Sequence, residues 1–200
     1  MYEPNLSLKT KRYARRQHLI RAGAGCDAMF RINEGLACSY HLLADGKRQI
    51  TRLFLPGDYC EPQWFLTGRS SSPILTLSQL SAERISFTDI HRCNGVNVKD
   101  VLAALLQNFE RQTKWLVLLA RGPAIDRIVT LLTELYERLA RDEARVLIPL
   151  TQSEIADIVG LTSIHVNRML RELAIKNLVV IQGRRLYVSR EIRDIKVSGK

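Results

Sequence analysis

Residues 150–188 read LTQSEIADIVGLTSIHVNRMLRELAIKNLVVIQGRRLYV, and this stretch decides the reading of the chain's C-terminal part. Thr151 and Glu154 have the T-x-x-E spacing of a capping box, which starts a helix at the next residue. Ile155, Ile158 and Val159 give that helix an apolar face. Gly160 follows, where a tight turn calls for a residue without Cβ. Leu161 is apolar and suits the angle between two helices. Thr162 then caps a second helix, whose buried side is Val166, Met169, Leu170 and Leu173. Asn177 suits a left-handed helix end. Two short helices joined by a Gly-containing turn are the helix-turn-helix arrangement.

The opposite face of the second helix carries Ser163, Ile164, His165, Asn167, Arg168 and Arg171. It is polar and basic, as entry into the major groove requires. Beyond it, 179–181 and 186–188 read as two strands of a hairpin. Its tip, Gln182-Gly183-Arg184-Arg185, is basic and suits phosphate contact. The pattern therefore predicts a winged helix-turn-helix that binds duplex DNA.

Working outward, 123–141 is a helix with Ile125, Ile128, Leu131, Leu132, Leu135 and Leu139 on its buried side. Gly122-Pro123 separates it from a longer helix over 98–120. In that longer helix Leu102, Leu105, Phe109, Gln112, Leu116 and Leu119 follow an alternating three-four spacing. Such a seam predicts a coiled-coil contact between two copies of the chain, with the polar Gln112 setting the register. Glu110, Arg111 and Lys114 lie off the seam. Packing of the helix on its own domain is the alternative.

The first half of the chain is strand-like. Short runs at 29–32, 37–43, 49–55 and 74–77 are separated by Asn33-Glu34-Gly35, Ala44-Asp45-Gly46 and Pro56-Gly57-Asp58. Asp45-Gly46 between two apolar runs is a hairpin signal. Segment 69–73 reads as a loop. The expected class is α+β: an antiparallel β-roll over 1–95, a dimerisation helix over 96–121 and a winged helix-turn-helix domain over 122–200.

The chain has 200 residues, a hydrophobic content of 46% and a net charge of +10. That charge suits an anionic partner, because Lys and Arg release counterions from a phosphate backbone. Lys9, Lys11, Arg12, Arg15 and Arg16 form a basic N-terminal run, read as a solvated arm or as an outer DNA contact. No run approaches the ~20 apolar residues of a membrane span, and the N-terminus is not a secretory signal, so the cytoplasm is expected and no membrane. Cys26, Cys38, Cys60 and Cys93 are too dispersed for a zinc or iron–sulfur motif, and acidic neighbours at Cys26 and Cys60 would raise their thiol pKa. No phosphate loop, metal cluster or nucleophile elbow is present, so neither an enzyme nor a bound cofactor is expected. His18, His41 and His91 are conceivable haem ligands, read more simply as surface or packed residues.

The sequence resembles the CRP/FNR family of bacterial transcription regulators over nearly its whole length. LTQSEIADIVGLTSIHVNRMLRELAIKNLV has that family's helix-turn-helix lengths, and INEGLACSYHLLADGKRQITRLFLPGDY resembles its cyclic-nucleotide-binding β-roll. The resemblance implies a two-fold dimer on a pseudo-palindromic site. It makes Arg168 the recognition-helix arginine suited to guanine, with Ser163, Ile164 and His165 also facing bases. It gives Thr151, Ser153, Thr162 and Arg184 to phosphates. RNA polymerase and a small-molecule effector of unassigned identity are further expected partners.

Two departures stand out. Ile164 replaces the glutamate common at its position, so the operator should differ from the family's best-known one. The cyclic-nucleotide triplets Gly-Glu-Leu and Arg-Ser/Thr-Ala align with Glu61-Pro62-Gln63 and Ser70-Ser71-Ser72. The phosphate-binding arginine is absent unless Arg69 shifts to replace it, and Pro62 lacks a backbone donor. A buried phosphate without a cation is disfavoured, so binding of a cyclic nucleotide is not expected. The alternatives are a ligand-responsive regulator and a signalling module that binds no DNA.

Overall fold

The computed structural model describes residues 10–91, 98–140 and 142–197. Lys9, Cys93 and the expected boundary at 95/96 lie outside the described residues. The chain folds as two compact units. The first is drawn from residues up to His41 and from Thr51–Gln112, the second from Leu42–Ile50 and from Thr113 onward.

The first unit holds most of the β-structure. Its strands are β1 (Thr10–Tyr13), β2 (His18–Ile20), β3 (Ala28–Glu34), β4 (Ala37–Leu42), β5 (Arg48–Phe54), β6 (Tyr59–Cys60), β7 (Ile74–Thr76) and β8 (Leu80–Ser86), with the outer parts of β4 and β5 assigned to the second unit. Two short helices interrupt or follow them, α1 (Trp64–Thr67) and α2 (Phe87–His91). The strands form one four-stranded sheet in the order β1-β8-β3-β6 and another in the order β2-β7-β4-β5. Phe30, Ile32, Phe54, Trp64, Ile74 and Leu80 form a buried core cluster. This is the expected α+β roll.

All four expected strand runs are strands, and Asp45-Gly46 turns between β4 and β5 with Gly46 at φ +79°. Four more strands were not foreseen. β8 hides its alternation because Glu83 and Arg84 are adjacent charges, yet Leu80, Ala82 and Ile85 are buried. β1 lies within the basic run, so part of that run is sheet and not a free arm; it pairs antiparallel with β8. β2 and β6 are too short to show a period. Gly35 follows β3 at φ +83°, and a Cβ there would lie 2.1 Å from the carbonyl oxygen of Gln79. Only glycine fits that turn.

The long helix α3 runs Val98–Arg121, and the division between the units falls inside it, between Gln112 and Thr113. Val101 packs with Met29, Ile85 and Ile90, which fixes the start of α3 within the first unit. In the second unit, α4 (Ala124–Leu139) buries Ile128, Leu131, Leu132 and Leu135 as expected, and Pro123 sits at its N-cap. The remaining elements are β9 (Arg145–Ile148), α5 (Gln152–Val159), α6 (Ser163–Ile175), β10 (Val179–Gln182) and β11 (Arg185–Ser189), then a 3-10 turn over Arg190–Asp194. β10 extends one residue further than expected and β11 one at each end, because Gln182 pairs with Arg185 and Ser189 with Arg145. β9 was not foreseen. It completes a three-stranded sheet in the order β10-β11-β9, where Leu147 pairs with Tyr187.

Candidate nucleic-acid interface

The local chemistry of the motif follows its sequence closely. Thr151 Oγ1 accepts from the backbone N–H of Glu154 at 3.2 Å, and Glu154 Oε2 accepts from the N–H of Thr151 at 2.8 Å. This closed capping box starts α5. Gly160 ends the helix at φ +67°, and its N–H donates to the carbonyl of Ala156. Thr162 Oγ1 then accepts from the N–H of His165 at 3.3 Å and caps α6. Val166, Met169, Leu170 and Leu173 are all buried, so the inward face of α6 is the predicted one. Asn177 takes the left-handed conformation after α6, at φ +59°.

Fixing that inward face fixes the outward one. Ser163, Ile164, His165, Arg168 and Arg171 are exposed, and Asn167 is half-buried. Three of these residues are held by neighbours. Ser163 Oγ lies 3.3 Å from Ser153 Oγ in the first turn of α5. His165 Nδ1 lies 3.2 Å from Thr162 Oγ1. Asn167 Nδ2 donates to Gln152 Oε1 at 3.0 Å. Gln152 is a residue that the sequence reading passed over. Its signal was present, since it stands at the first helical position beside the cap.

Ile164, Arg168 and Arg171 are different. Among the described residues neither arginine has a hydrogen bond or ion pair, and Ile164 is 81% exposed. Arg168 lies one helical turn beyond Ile164 and Arg171 another, so the three line one face. Thr151 and Ser153 are exposed at the start of α5, and Arg184 is exposed at the wing tip beside Gly183 at φ +59°. Thr151 Oγ1 serves the helix only as an acceptor, so its hydroxyl proton stays available to an anion.

The expected seam on α3 is brought out in part. Leu102, Phe109 and Leu116 are 52%, 67% and 69% exposed, whereas Leu105 and Leu119 are half-buried. Leu106 and Val117, which the spacing did not single out, are equally exposed. The exposed apolar stripe is therefore rotated slightly around the helix from the expected one. Gln112 departs from its expected place: with its amide oxygen turned to Arg52, it accepts from that guanidinium within the first unit. A register role between chains does not follow from that position. Arg111 also faces inward, with Nη1 donating to Asp58 Oδ1 at 2.9 Å.

The region aligned with a cyclic-nucleotide pocket carries its own charges. Glu61 is 2% exposed at φ +50°, and its carboxylate accepts from Arg52 and from Gln63 Nε2. Ser70 Oγ donates to the carbonyl of Ser72 at 2.5 Å, while Ser71 and Arg69 are exposed. Burial, then the carboxylates of Glu61 and Asp58, push the Cys60 thiol well above its ordinary value. Cys26 is raised by burial and then by Asp27. His18 Nε2 lies 3.0 Å from Tyr40 Oη, and His41 Nε2 lies 3.3 Å from Ser72 Oγ. The described residues contain no group of three side chains able to hold a metal. They also contain no helix long and apolar enough to cross a membrane.

A β-roll followed by a long helix and a winged helix-turn-helix with a basic outer face defines the class: a DNA-binding transcription regulator. Residues 10–93 match the family described as the cyclic nucleotide-binding domain, and residues 126–195 match the Crp-like helix-turn-helix domain. The nitrogen fixation regulation protein FixK of Rhizobium meliloti is 28% identical over 163 residues, covering 80% of this chain and 72% of the relative. The transcriptional activatory protein AadR of Rhodopseudomonas palustris is 27% identical over 177 residues, covering 85% and 73%. In fold the chain is similar to FixK2 from Bradyrhizobium japonicum, with a TM-score of 0.83 at 24% identity over 98% of this chain and 100% of that one. The chain belongs to the CRP/FNR family of transcription regulators.

Proposed function

We propose that this regulator acts as a homodimer on a pseudo-palindromic operator and needs no cyclic nucleotide to do so. The observation that carries the reading is the outer face of α6, where Arg168 and Arg171 are exposed without a partner among the described residues. A guanidinium presented in this way suits the O6 and N7 acceptors of guanine. Thr151, Ser153, Thr162 and Arg184 contact phosphates and set the position of the helix. Ser163, His165 and Asn167, tied to the cap and to α5, hold the rim of the reading face.

Pairing of two chains rests on the stripe Leu102, Leu106, Phe109, Leu116 and Val117. Exposed apolar side chains repeated along one helix suit contact with a second chain. Two copies of α3 related by a two-fold axis would cover it and space two recognition helices for two half-sites. By role, we propose a sensor-like roll over 1–95, a dimer helix over 96–121 and a DNA-binding part over 122–200.

Independence of a cyclic nucleotide rests on charge. The buried carboxylate of Glu61 has already engaged Arg52, and Arg69 is exposed. A cyclic phosphate entering the roll would meet no unpaired cation from the aligned triplets, and Glu61 would repel it. The match of residues 10–93 favours the alternative, a ligand-responsive regulator, and RNA polymerase and an effector remain partners within either reading. The reading includes no catalysis, and action in the cytoplasm.

The test is selection of bound fragments from sheared duplex DNA, with and without cyclic AMP. An inverted-repeat motif enriched without the nucleotide is the expected result. Enrichment only with it would overturn nucleotide independence. No motif in either sample would overturn the DNA-binding reading itself. A salt series on the enriched duplex should give a steep, log-linear loss of affinity.

A further inference from the structure

The recognition face contains a residue with neither charge nor hydrogen-bonding capacity. Ile164 is in the first turn of α6 and is 81% exposed. An exposed isoleucine by itself carries no information, since single surface apolar residues are ordinary. Its position does. It lies on the same stripe as Arg168 and Arg171, at the helix end that enters a groove first. Its flanking polar side chains are held away: Ser163 by Ser153, and His165 by Thr162. Asn167, one turn further on, is held by Gln152. Each of these polar neighbours therefore already has a partner within the motif, and Ile164 has none to compete with it.

We infer that Ile164 is a specificity residue that selects thymine through its 5-methyl group. This rests on the DNA-binding reading above. The physical argument is one of exclusion. In the major groove guanine presents acceptors, cytosine a donor and adenine one of each, whereas thymine adds a methyl group beside its O4 acceptor. An isoleucine over one of the other three strips water from polar atoms and returns no hydrogen bond. Over thymine it buries its own exposed surface against a methyl. Arg168 lies four residues on, roughly 6 Å along the axis, or about two base-pair steps. The selected thymine therefore lies within about two base pairs of the guanine that Arg168 contacts, in each half-site.

The experiment uses the full-length protein and the inverted repeat enriched from duplex DNA. Each thymine of one half-site is replaced in turn by deoxyuridine, which deletes the methyl and nothing else. One replacement, near the guanine, should weaken binding about three- to fivefold, and the others should not. Ile164→Ala should bind the thymine and uracil duplexes equally at that position. Ile164 is exposed, so the variant should melt with the parent protein. The comparison on the unaltered protein stands even if the variant misfolds. Equal binding of both duplexes at every position would overturn the inference. So would an Ile164→Ala variant that keeps the discrimination. If a motif is enriched and Arg168→Ala relaxes it while uracil has no effect, the thymine inference alone fails. If no motif is enriched, the DNA-binding reading fails and takes the inference with it.

Discussion

Arg52 and Glu61 are ion-paired inside the first unit, with Nη1 of the guanidinium donating to Oε2 of a carboxylate that is 2% exposed. Arg52 also donates to Gln112 on α3, so one guanidinium ties the long helix to the roll. Removing it leaves a buried carboxylate whose remaining side-chain donor among the described residues is Gln63. Arg52→Met should therefore destabilise the fold by about 3–5 kcal/mol, seen as a lower urea midpoint. Adding Glu61→Gln should recover much of the loss, because the uncompensated charge goes with it. Equal stability of the two variants would show that the pair is held by packing and not by charge.

The stripe on α3 separates contact between chains from packing within one. Phe109→Lys with Leu116→Lys changes exposed positions, so the chain should stay folded and become monomeric by light scattering. Leu105→Lys changes a half-buried position and should lower the melting temperature as well. A dimer that survives the double substitution would remove α3 as its seat.

Arg168→Ala should weaken binding to the enriched duplex by about 1–3 kcal/mol and relax preference at one base pair per half-site. Arg184→Ala, at the wing tip, should weaken all duplexes alike and lower the salt slope by about one. Unchanged sequence preference in the first variant would move base reading elsewhere on α6.

Gly35→Ala tests the first unit without touching DNA contacts. The new Cβ would fall 2.1 Å from the carbonyl oxygen of Gln79, at a φ of +83°. Either the turn or β8 must shift. A fall in melting temperature, with DNA contacts of the remaining folded protein unchanged, is the expected result. Gly46→Ala also has positive φ but open space around it, so it should cost less.

The helix-turn-helix was legible from residues 150–188 because its determinants are local. A capping box, a left-handed glycine and a helical period each act within a few residues, and Thr151, Gly160 and the Val166–Leu173 spacing all fall where that logic puts them. The strands flanked by strong turns were legible for the same reason. β8 and β9 were not, since their strand character comes from partners distant in sequence, β3 for one and β11 for the other. The face of α3 was set in the same way. Spacing gave Gln112 the same standing as Phe109, and only packing against Arg52, Asp58 and the β-roll core decided which side of this part of the helix turns inward. Periodicity specifies that a helix has a seam. Which residues occupy it depends on what the rest of the chain covers, because burial is a property of tertiary contact and not of sequence spacing.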